Sequence, residues 1–180
     1  MACILNNEQD ALTLEQARDS MSSFKLKQDD VPLRIKLVEN PKWFTSEFFS
    51  GAVDLFTHDC IHILLGRGLL VKDEAFVIGY TMGSTKKISR FKRNLFMFCS
   101  KYLYPKEYRF GEEERFVFNM GVMLGSRCET DLSLADFPSY GGISLYSLRD
   151  ELRIDSRLLR SYYEIEKKIF PESTESQRLL

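Results

Sequence analysis

The sequence predicts an all-α fold, a single-domain helical bundle with a helix–turn–helix at its centre. Three observations point there. Apolar residues recur at three- and four-residue spacing over most of the chain. The main breaks between these stretches, such as Gly66-Arg67-Gly68 and Pro105, are not two-residue hairpin turns. Strict alternation of apolar and polar residues, the mark of a half-buried strand, is scarce. At 180 residues the chain suits one domain, 1–180, with ends expected to fray over about 1–10 and 171–180, where "PESTESQRLL" is polar.

Taken in order, Thr13 caps a short helix over 13–22, with Glu15 and Gln16 in its first turn. Pro32 suits the first turn of a second, over 32–39. From 44 to 65 the stripe Phe44, Phe48, Ala52, Leu55, Phe56, Ile63 predicts helix, with Gly51 as a kink or join. Gly66 and Gly68 end it, since glycine takes the left-handed conformation that closes a helix. Further helices are expected over 73–82, 86–103, 111–125, 144–152 and 155–170. In the second of these, Ile88, Phe91, Leu95, Phe98 and Tyr102 share a stripe. Glu112, Glu113 and Glu114 suit the positive N-terminal end of the next. Residues 126–142 read as a loop.

Composition excludes several classes. There are 25 Lys and Arg against 26 Asp and Glu, so no overall basic charge marks a nucleic-acid binder. The four cysteines form no CxxC pair and read as reduced, buried thiols. No apolar run approaches the roughly 18 residues of a membrane span. No signal peptide or presequence pattern precedes the first helix, so a cytoplasmic protein is expected.

Both histidines of the chain lie in "THDCIHILLGRGLLVKDEAF", residues 57–76. Positions four apart on a helix differ by only about 40° around its axis, so His58 and His62 share a face and can converge on one ion. The Gly66-Arg67-Gly68 turn then reverses the chain and brings Glu74, early in the next helix, back level with them. Two imidazoles and a carboxylate leave room for water or substrate on a metal. Asp59 lies about 100° from His58. It is either a fourth ligand that bends in or a base beside the metal, and spacing leaves both open. Cys60 points off the stripe and reads as packing. The donor set suits zinc, the first expectation, and also iron, manganese or cobalt.

His58-Asp59-Cys60-Ile61-His62, then eleven residues, then Glu74, resembles the HDxxH motif and distal glutamate of the coenzyme Q biosynthesis protein four family. The surrounding "GAVDLFTHDCIHILLGRG" is similar to that family's motif helix, and the likeness covers roughly residues 48–83. The resemblance implies an all-α protein that binds a divalent metal through His58, Asp59, His62 and Glu74. It implies peripheral association with membranes and support of ubiquinone assembly, beside other quinone-biosynthesis proteins or as a homodimer. The activity implied is removal of the carboxylate at ring carbon one of a polyprenylated aromatic acid, with hydroxyl in its place. The alternative is a non-catalytic prenyl-lipid-binding or scaffolding protein whose metal staples two helices. A small metallohydrolase on an unrelated substrate is a further reading. An HD-type phosphohydrolase needs a histidine upstream of His58, and there is none. A zinc protease would place glutamate where Asp59 stands.

The segment 86–109 sets Lys86, Lys87, Arg90, Lys92, Arg93, Lys101, Lys106 and Arg109 against a single acid, Glu107. With Phe91, Leu95, Phe96, Met97 and Phe98 it suits either an anionic membrane surface or a core helix with a solvated basic face.

Overall fold

The computed structural model describes residues 10–25, 53–86, 89–102, 104 and 106–179. The helix expected over 32–39, and the 44–52 part of the following one, lie outside these residues. The described elements are α1 (Leu14–Lys25), α2 (Leu55–Leu65), α3 (Val71–Ser84), α4 (Arg90–Tyr102), α5 (Glu112–Gly125), α6 (Leu145–Glu151), α7 (Ser156–Ile169) and α8 (Thr174–Gln177). Short 3₁₀ turns stand at Lys106–Tyr108, Leu132–Leu134 and Phe137–Tyr140. Among the described residues there is no strand, only a lone antiparallel bridge between Thr13 and Ser144. The all-α class is as predicted.

Local chemistry sets the helix ends. Asp54 caps α2, its carboxylate accepting from the Thr57 N–H at 3.0 Å and the Thr57 hydroxyl at 2.7 Å. Gly66 closes α2 at φ 67°, as the sequence predicted. The Arg67 N–H then donates to the His62 carbonyl at 3.0 Å, so an orphan carbonyl is satisfied and the chain is turned back sharply. α3 starts two residues earlier than expected because Asp73 reaches back to accept from the Leu70 N–H at 3.1 Å.

α3 lies at the centre, with a core on each side. The larger is built from α1, α2, α6, α7 and the C-terminal tail, with Ile61, Leu64, Phe76, Leu148, Leu159 and Tyr163 among its members. The smaller joins α3, α4 and α5 through Ala75, Met82, Phe96, Phe110, Phe118 and Val122. Phe96 stacks on Phe118 at 5.1 Å between ring centres. α3 and α5 press together through Gly79 and Gly83 on one and Gly121 and Gly125 on the other. A Cβ at any of these four would strike the facing backbone.

Residues 171–179 of the tail, where the sequence suggested fraying, pack against the bundle. Ser173 caps α8, Ser176 donates to Glu166 at 3.0 Å, Arg178 pairs with Asp73, and Leu179 is buried in the larger core. Polar composition suggested disorder, but each of these polar groups has a partner. At the other end Asp10 pairs with Arg149 and Arg160, and residues 1–9 lie outside those described.

Behind the α2–α3 turn sits a buried ionic cluster. Arg67 is wholly buried and donates two bonds to Glu166, at 3.0 and 2.5 Å. Its guanidinium lies 4.0 Å from the centre of the Phe76 ring and 4.5 Å from that of Tyr163. The Tyr163 hydroxyl donates to the Leu65 carbonyl at 2.5 Å, and the Arg149 Nε to the Leu64 carbonyl at 2.7 Å. Two of the carbonyls that α2 cannot satisfy internally are thereby bonded by α6 and α7.

Candidate metal centre

α2 and α3 bring three side chains together. Nε2 of His58 lies 2.9 Å from Oε2 of Glu74, and Nε2 of His62 lies 3.3 Å from Oε1. The two Nε2 atoms are 3.1 Å apart, and the rings meet edge to face at 4.6 Å. One ligand atom from each residue lies within 4.8 Å of the other two. The convergence of His58 and His62 through i, i+4 spacing, and of Glu74 through the glycine turn, is as the sequence predicted.

Burial is graded across the group. The side chain of His62 is fully buried, Glu74 is 3 % exposed and His58 is 16 % exposed. The site therefore reaches the surface along the His58 edge. Burial alone would raise the Glu74 carboxyl. The two imidazoles overcome that, by charge and by hydrogen bonding, and hold it well below the usual carboxylate range. The carboxylate is thus kept ionised in the interior, the form that ligates a cation.

The distances fit a small divalent ion. Ligands at 2.0–2.1 Å from a tetrahedral zinc stand about 3.3 Å from one another. The two Nε2 atoms, 3.1 Å apart, are within a few tenths of an ångström of that spacing, and each meets a different oxygen of Glu74, at 2.9 and 3.3 Å. Three protein donors would leave at least one coordination position for a small molecule.

Asp59 is 8 % exposed, but it is not part of the converging group, which among the described residues comprises His58, His62 and Glu74. Its position about 100° around α2 accounts for this. Cys60 packs in the larger core, as expected, and its thiol is pushed up to about 12 by burial, then by Asp59. It is a poor source of thiolate. Three clefts lined by described residues, of about 660, 400 and 260 Å³, have none of the three donors in their walls. The cavity expected beside the site is not among them. The smallest includes Phe56, two residues before His58.

Sequence reasoning missed Tyr104. It lies beyond the end of α4, buried, with its ring 6.4 Å from Phe110 and its carbonyl accepting from Arg109 at 2.9 Å. Its hydroxyl is kept neutral by burial, then by Cys99 and by Glu74, whose charge it feels. No local pattern marks it, because a fold-back of the chain after α4 puts it there.

No protein-family model, curated protein or solved structure matches the chain.

Proposed function

We propose that the protein is a divalent-metal protein of ubiquinone biosynthesis that acts on a polyprenylated aromatic acid at a membrane surface. The observation that carries the metal reading is the convergence of His58, His62 and Glu74 from two helices joined by a glycine turn. The substrate class rests on the resemblance of the HDxxH motif and its distal glutamate to the coenzyme Q biosynthesis protein four family.

In this reading His58, His62 and Glu74 hold the ion, with zinc preferred and iron, manganese or cobalt also suited to the donor set. A bound divalent ion supplies positive charge that polarises an oxygen of the substrate. The reaction is loss of the ring carboxylate as CO2 with hydroxyl in its place, a two-electron oxidation that takes molecular oxygen as co-substrate, its second oxygen atom leaving as water with two electrons from an external reductant. Asp59, adjacent to His58 but outside the three-donor group, is assigned to the base rather than to the first ligand set. Ile61, Ile63, Leu64 and Leu65, next to His62 along α2, are fully buried, and a dry interior strengthens charge interactions.

The second reading is a non-catalytic prenyl-lipid-binding protein with a structural ion. The burial of His62 and Glu74 favours it, since a structural site is commonly closed. Elemental analysis of native protein, His62→Ala and Glu74→Gln, with solvent extracts analysed by mass spectrometry, tests both. A single divalent ion per chain in the native protein, lost in each variant, supports the centre. Co-purified prenylated ring lipid that is turned over supports the enzyme, and the same lipid bound without turnover supports the carrier. Equal metal content in all three proteins refutes the centre.

A further inference from the structure

The stripe of α4 points the wrong way for a core helix. Phe91, Phe98 and Tyr102 are spaced by seven and four residues, so they fall within about 40° of one another around the axis. They are 73 %, 55 % and 54 % exposed. Phe96 and Ser100, which are buried, lie about 140–180° round from Phe91. The face against the bundle carries Phe96, stacked with Phe110 and Phe118, with Leu95 and Met97 partly buried at its edges, while Phe91, Phe98 and Tyr102 face outward.

The charge around this stripe has one sign. Between residues 86 and 106 the sequence carries seven Lys or Arg and no Asp or Glu. Arg90 and Lys101 are exposed on one flank of the stripe, and Lys92 is half-buried on the other. Aromatic groups in a line with cations at both sides are the composition of a helix lying in the plane of a bilayer, its rings among the acyl chains and its bases at the headgroups.

We propose that α4 is a docking face for an anionic lipid bilayer, with Phe91, Phe98 and Tyr102 inserted and Arg90, Lys92 and Lys101 at the phosphates. The single sign of charge is complementary to an anionic leaflet and selects it over a second copy of this chain, whose own α4 would repel. The proposal deepens the prenyl-lipid reading by naming the surface at which such a lipid would be met.

The test is flotation of the full chain with phosphatidylcholine vesicles, with and without phosphatidylglycerol, at 0.1 M and 1 M salt (Debye lengths of about 10 and 3 Å). The proteins are wild type, Phe91→Ser/Phe98→Ser, Lys101→Glu and, as a control at another exposed ring, Tyr146→Ser. Wild type and Tyr146→Ser should float with anionic vesicles at low salt. The double serine variant should partition about tenfold or more weakly, and Lys101→Glu should lose the preference for anionic lipid. Equal flotation of wild type and both α4 variants overturns the proposal, as does self-association lost in the double variant without any vesicle binding. Metal content measured on the same samples separates this outcome from the fate of the metal centre: intact metal with no flotation refutes the docking face alone.

Discussion

The α2–α3 hairpin buries what most proteins leave in water, and α4 leaves in water what most proteins bury. In the hairpin His62, Glu74, Arg67 and Asp73 have almost no exposure. Just beyond the hairpin, Phe91 is 73 % exposed on a regular helix. Buried polar groups and aligned exposed rings are the informative departures from ordinary partitioning, but they differ in what holds them. The polar groups of the hairpin are fixed by partners from distant parts of the chain, Glu166 and Arg178 among them. The outward rings of α4, Phe91, Phe98 and Tyr102, are each more than half exposed, and among the described residues of the helix Phe96 and Ser100 are the buried ones. Changes in the hairpin should therefore move stability, and changes on the outer stripe of α4 should move binding alone.

The largest effect is expected at Arg67. Replacing it by Met leaves Glu166 buried beside aromatic rings without its cation, and should destabilise by about 3–5 kcal/mol. Denaturant unfolding checks this. Adding Glu166→Met should recover much of the loss, because the second change removes the orphaned charge.

Acid sensitivity follows from the same pair. Burial alone would raise the Glu166 carboxyl, but Arg67, with the hydroxyls of Tyr162 and Ser176, brings it below its ordinary 4.5. A depressed carboxyl contributes stability that is fully present above the unfolded value and lost as pH falls through the folded one. The fold should thus keep this group's contribution until the pH falls below 4.5. In Arg67→Met the acid unfolding midpoint should move upward, as followed by circular dichroism.

A smaller effect is expected at the helix contact. Gly121→Ala would push a methyl onto the Phe76 carbonyl and Tyr80 N–H across the α3–α5 seam. The expected loss is about 1–3 kcal/mol from overpacking, read as a lowered denaturation midpoint. The smallest belongs to α4. Phe98→Ser should change stability by about 0.5 kcal/mol or less while weakening vesicle flotation. A large destabilisation there would show that the ring is held by the fold, and the contrast between the two regions would fail.

The sequence made one half of this contrast legible and concealed the other. The i, i+4 histidines, Gly66 and Glu74 are local features whose geometry follows from helix spacing and a left-handed glycine. Arg67 read as a turn residue between two glycines, because its partners Glu166 and Phe76 arrive through tertiary folding. The α4 stripe was visible as a stripe, but periodicity gives only which residues share a face, not whether that face meets the core or the solvent. Tyr104 and the docked tail were missed for the same reason. Asp54 could have been found, as a capping aspartate three residues before Thr57.

The metal centre is tested most directly by X-ray absorption at the edge of the ion found in the purified full chain. The account predicts nitrogen and oxygen neighbours at about 2.0–2.2 Å with the outer scattering of two imidazoles. In His62→Ala the imidazole scattering should fall or the ion should be lost. A sulfur neighbour at about 2.3 Å, which would bring in Cys60, or a spectrum with no imidazole scattering at all, would contradict it.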